Sequence, residues 1–155
     1  MDKETLHFKV GLSGTSELKQ PRFSIAVDGN IVQEGTLSQV PNVTEYFEFD
    51  VSLTEEPHEL QISLLNKESA DTVKDADDNI IGDMLLNIDS IEIDDIDLGP
   101  LLWTASIYNP IYPESYLDQD QKNIKDVLNC VHLGWNGVWR LPFISPFYIW
   151  LLENL

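Results

Sequence analysis

The sequence predicts an all-β chain, an antiparallel jelly-roll β-sandwich carrying one short helix. Three observations lead there. Apolar and polar residues alternate in run after run, turn residues punctuate the runs, and only one stretch has helical spacing. At 155 residues the chain is expected to form a single domain, 1–155, large enough to bury one core. Its C-terminal segment, residues 108–155, is expected to pack on the sandwich or on a partner subunit.

The elements follow in order. Leu6, Phe8 and Val10 alternate with polar neighbours, and so do Phe23, Ile25 and Val27 beyond a loop rich in Gly, Ser and Thr. Asp28-Gly29-Asn30 is a hairpin signal, because Gly29 can take positive φ. Phe47, Phe49, Val51 and Leu53 form the next run, closed by Pro57, and Leu60, Ile62 and Leu64 resume the period of two. Thr72 to Lys74 and Ile80 to Ile81 read as arms of a small hairpin. Leu86 and Ile88, then Ile91 and Ile93, form a strand whose alternation slips once, which a bulge explains. Gly99 and Pro100 end it, and Leu101 to Tyr108 reads as a further strand. Tyr108 to Asp120, with Pro110 and Pro113, reads as an ordered loop or irregular strand. The helix is expected over Asp118 to Val131, where Ile124, Val127 and Leu128 share one side.

Composition excludes several functions. The formal charge of −18 disfavours nucleic acid and anionic membranes as partners and suits cations, basic partners or neutral ligands. A hydrophobic fraction of 43% is too high for a disordered acidic chain, so the acids belong on a folded surface. Cys130 is the sole cysteine, which rules out an intrachain disulfide or a thiol-pair metal knuckle. The N-terminal MDKETLHFKV lacks the basic and apolar regions of a signal peptide, and no apolar stretch is long enough to span a bilayer.

Catalysis finds no support. The three histidines are scattered, no GxSxG elbow is present, and the carboxylates of Asp94, Asp95 and Asp97 share one polar patch with nothing apolar to separate their pKa values. The chain is therefore expected not to be an enzyme. Asp71 to Asp97 holds ten acidic residues and one lysine. Asp75, Asp77, Asn79 and Asp83 mimic EF-hand spacing, but Ile80 replaces the turn glycine and Leu86 the closing glutamate. An EF-hand is rejected. Two readings stay open: calcium held in another geometry by Asn66, Asp71, Asp83 and Asp89, or a solvated hairpin whose charges protect a sheet edge. Among the aromatics, Trp135, between Gly134 and Asn136-Gly137, and Tyr112 are candidate ligand platforms. Phe143, Phe147, Tyr148, Trp150 and Leu151, in a tail nearly free of charge, are candidate interface residues.

The stretch HELQISLLN, the acidic loop and then GDMLLNIDSIEIDDIDL resemble the calcium-dependent xylan-binding modules over residues 4 to 97. Asn66, Asp83, Leu86 and Asp89 match that pattern, while Lys67 stands in place of an aspartate and Met84-Leu85 in place of Arg-Asn. The resemblance implies a jelly-roll sandwich, with calcium beside the loop. The tail WNGVWRLPFISPFYIWLLENL is similar to uncharacterised virion proteins of T4-like phages of marine cyanobacteria. That second likeness implies a non-catalytic structural or adhesive module of a virion, as capsid decoration or tail appendage, bound to other virion proteins or to itself. The alternative is a calcium-dependent module that binds a polysaccharide.

Overall fold

The computed structural model describes residues 3–38, 41–111 and 126–155. Its first half contains β1 (Lys3–Gly14), β2 (Arg22–Val27), β3 (Asn30–Thr36), β4 (Glu45–Thr54) and β5 (Pro57–Leu64). A 3-10 turn, Ser69–Asp71, then leads into the arms β6 (Thr72–Lys74) and β7 (Ile80–Asp83). The second half holds β8 (Leu86–Ile93), β9 (Ile96–Asp97), α1 (Leu101–Thr104) and β10 (Ile107–Pro110). It ends with β11 (Val127–Leu128), β12 (His132–Leu133), β13 (Gly137–Ile144) and α2 (Phe147–Asn154).

Two antiparallel sheets pack face to face, as expected. One has the order β12-β8-β1-β4 with β9 folded onto β8, the other β11-β10-β13-β5-β2-β3, and β6 with β7 forms a separate hairpin. Alternation explains the packing. Leu6, Phe8, Val10 and Leu12 of β1 are at most 1% exposed, whereas His7 and Lys9 between them face outward. Phe8 lies opposite Phe49 of β4, and their rings stack at 5.1 Å. The second sheet meets this face with Phe23, Ile25, Leu60, Ile62, Trp139 and Leu141, all within one core. Each such side chain contributes roughly 2 kcal/mol by leaving water.

Local chemistry sets the turns. Asp28 and Gly29 both take positive φ between β2 and β3, as do Asp94 and Asp95 between β8 and β9, the geometry that matches strand twist. The slip in β8 is a bulge: Gly11 pairs with Ser90 and Leu12 with Ile88, leaving Asp89 unpaired.

Two expectations are corrected. Leu101 to Tyr108 does not form one strand. Leu101 and Leu102 are both buried, which a strand with one buried face cannot achieve at consecutive positions but a helical turn can. The helix expected over Asp118–Val131 fails at its C-terminal side, because Val127 and Leu128 pair with Tyr108 and Ile107 as a strand. Its residues 118–125 lie outside the described residues. His58 lies within β5, with its side chain buried.

The tail is absorbed into the sandwich. β13 lies between β10 and β5, pairing residue for residue from Gly137↔Leu64 to Ile144↔Pro57. Gly137 is required there, since a Cβ would meet the carbonyl oxygen of Asn109 at 2.3 Å. Beyond it, α2 buries Phe147, Trp150 and Leu151. Glu4 of β1 anchors the start of α2, its Oε2 accepting from the Phe147 N–H at 2.8 Å and from the Ser145 hydroxyl. No helix among the described residues is long and apolar enough to cross a membrane.

Candidate functional site

β1 and β5 both run away from α2, and at their far ends the chain forms an acidic cleft. Thr15 to Lys19, leaving β1, make one wall, and the β6–β7 hairpin makes the other. The cavity measures 310 Å³ and brings together Thr15, Ser16, Lys19, Asp71 and Asp83, with apolar Leu18, Val73 and Ile81 at its margins. Leu18 and Ile81 are exposed there. The hairpin is short and polar, and Asp75 closes its tip by accepting the N–H groups of Asn79 and Asp77 at 3.0 and 2.9 Å. Those two bonds hold its carboxyl below the usual aspartate range.

Ion pairs organise the floor. The Lys19 ammonium donates to Asp71 Oδ2 at 2.8 Å and lies 3.5 Å from Glu68. The bond to Asp71 holds Lys19 above the usual lysine range. Asp71 also accepts the Glu68 N–H at 2.7 Å. Behind it the Lys67 ammonium donates to Asp83 Oδ1 and to the Met84 carbonyl at 2.9 Å. Asp83 Oδ1 accepts the Thr72 hydroxyl at 2.8 Å as well, and its backbone carbonyl accepts Thr15 Oγ1 at 2.6 Å. These bonds tie the two walls of the cleft to one another.

The four residues proposed for calcium do not converge. Asp71 and Asp83 share the cleft, but each is neutralised by a lysine. Asn66 spends its amide on the backbone, accepting the Arg22 N–H at 2.8 Å and donating to the Gln20 carbonyl at 3.1 Å. Asp89 sits in the β8 bulge and accepts the Thr44 hydroxyl at 3.0 Å. Calcium takes six to eight oxygens. Among the described residues no group of three or more His, Cys, Asp or Glu is placed to hold a metal ion. Among the described residues these four side chains do not form a calcium shell.

The aromatic and tail candidates are also relocated. Trp135 is only 8% exposed, and the Tyr108 hydroxyl both accepts its N–H at 3.2 Å and donates to its carbonyl, so its ring is no open platform. Tyr112 lies outside the described residues. Of the five tail residues, Phe143, Phe147, Trp150 and Leu151 are buried in this chain's own core, and Tyr148 alone is open to a partner. Sequence reasoning missed Lys19 and Asn136 and counted Lys67 only as a lost carboxylate. No local pattern marks them, because each is defined by a partner distant in the chain.

No protein-family model and no curated protein sequence matches this chain. Its fold does have solved counterparts. It is similar to vCBM60 in complex with galactobiose, at 17% identity and a TM-score of 0.51 over 87% of this chain and 96% of that one. It is also similar to the selenomethionine form of vCBM60, from work linking two families of calcium-dependent carbohydrate binding modules by circular permutation. That match has 16% identity and a TM-score of 0.56 over 88% and 89% of the two chains. The likeness is one of fold, a sandwich of two antiparallel sheets.

Proposed function

We propose that this chain is a non-catalytic carbohydrate-binding module whose ligand lies in the cleft between the segment after β1 and the β6–β7 hairpin. The observation that carries the reading is the cleft itself: a 310 Å³ recess whose hydroxyls and carboxylates stand beside exposed aliphatic side chains. Vicinal sugar hydroxyls suit the polar wall, and the C–H faces of a sugar ring suit Leu18 and Ile81. The chain's −18 charge favours a neutral sugar over an acidic one. The sandwich shared with a galactobiose-bound module supports the same assignment.

A structural part in a virion is supported less well. Its motive was an apolar tail in need of a partner, and β13 and α2 bury Phe143, Phe147, Trp150 and Leu151 of that tail against the chain's own sheets, leaving Ile144, Tyr148, Ile149 and Leu152 exposed. Neither a virion nor xylan figures in the structural likeness.

Affinity electrophoresis and calorimetry against neutral oligosaccharides, galactobiose among them, test the proposal. Ile81→Ser changes an exposed residue and is expected to weaken binding roughly tenfold, about 1.4 kcal/mol, without lowering stability. Tyr148→Ala, at the other end of the molecule, is expected to leave binding unchanged. Absence of binding to every neutral glycan, or binding indifferent to Ile81, would sink the reading.

A further inference from the structure

The cation at the floor of the cleft is a side chain. Lys67 follows β5, and its side chain is 0% exposed. A buried ammonium is costly unless its protons meet acceptors. Asp83 Oδ1 and the Met84 carbonyl accept two of them, and the Trp135 ring centroid lies 6.0 Å away. The Lys67 backbone is clamped as well: its N–H donates to Asn136 Oδ1 at 2.6 Å, and its carbonyl accepts Asn136 Nδ2 at 3.0 Å. Asp83 extends the network to Thr72 and Thr15. One charge therefore ties together the segment after β5, the β6–β7 hairpin, the approach to β8 and the loop before β13.

A divalent ion does comparable work where it organises loops, neutralising carboxylates and drawing separate segments to one centre. We infer that Lys67 is this sandwich's built-in cation, holding the cleft in shape without a divalent metal. A tethered charge is always present, whereas a bound ion stabilises only in proportion to its concentration. Asp83 Oδ1 and the Met84 carbonyl, bonded to the ammonium, are oxygens no longer free for a metal. Resting on the assignment of the cleft to sugar, a second consequence follows: sugar binding should persist in chelator.

Thermal unfolding of the full chain, in millimolar calcium chloride and in EGTA, tests the inference. The two midpoints are expected to coincide; a midpoint raised by calcium and lowered by chelator overturns it. Lys67→Met keeps the length of the stem and removes the charge, and is expected to lower the midpoint by about 10 °C. An unchanged midpoint overturns the inference. Should that variant not fold, Lys67→Met combined with Asp83→Asn removes both charges and is expected to recover folding; no recovery overturns it. These results come from unfolding alone. A wild-type chain that binds no glycan therefore strikes the ligand assignment and leaves Lys67 to be judged on its own midpoints.

Discussion

The two ends of the sandwich are held by different physics. At the α2 end, Phe143 packs against Phe8, Phe147 and Trp150 with ring centroids 6.2 to 6.3 Å apart. At the cleft end, Lys19 and Lys67 pair with Asp71, Glu68 and Asp83. Aromatic burial is insensitive to salt and pH and needs no particular partner group, only matching shape. Charge pairing is directional, weakened by salt where exposed, and leaves polar atoms at the surface for a ligand. The two ends therefore differ in what holds them together, ring packing at one and ion pairs at the other.

Breaking the aromatic end should have the largest effect. Phe143→Ala empties a site that is 1% exposed at the centre of that cluster, and is expected to cost about 4 kcal/mol by urea unfolding, with the same loss at 1 M salt. A loss under about 1 kcal/mol would show that the cluster does not carry this end.

A smaller effect belongs to His58, which lies beside Phe143 at 6.0 Å between ring centroids. Its ring nitrogens contact Asp28 Oδ2 at 2.6 Å and the Thr54 carbonyl at 2.7 Å, two acceptors that only the doubly protonated ring satisfies together. Burial pushes its pKa down, but the Thr54 carbonyl and Asp28 outweigh burial and raise it above 6.5. A raised folded-state pKa gives stability that is complete below the unfolded value and lost as pH rises through the folded one. Unfolding midpoints measured from about pH 6 to about pH 9 should therefore fall, and His58→Gln should flatten that fall. His7, bonded to Glu48 and Asp50 and raised in the same direction, is exposed and contributes in the same sense.

Lys19 should give the smallest effect. Its ammonium is partly open to water, so Lys19→Met is expected to cost less than about 1 kcal/mol, and less again in 1 M salt. A salt-independent loss would mean that Lys19 acts by packing and would erase the contrast between the two ends.

What the sequence by itself determined about this protein is whatever depends on neighbours a few residues apart. Alternation over Leu6 to Val10 and Leu60 to Leu64 dictates strands with one buried face, and the single slip in the Leu86 to Ile93 run is the bulge at Asp89. Asp28-Gly29 carries its hairpin because of what positive φ demands. The α2 helix was hidden because Phe147 to Leu152 are apolar on every side, which erases the 3.6-residue spacing of its buried face. Only the tertiary structure decided where that tail goes, since its strand pairs with β5 some eighty residues earlier and no local pattern names such a partner. The same holds at the cleft. Lys67 and Asp83 are sixteen residues apart, and whether two such residues repel a metal, bind one or bind each other depends on how the β6–β7 hairpin folds back over the end of β5. Periodicity is written in adjacent residues, whereas charge pairing and burial of a particular ring are settled by register between distant strands.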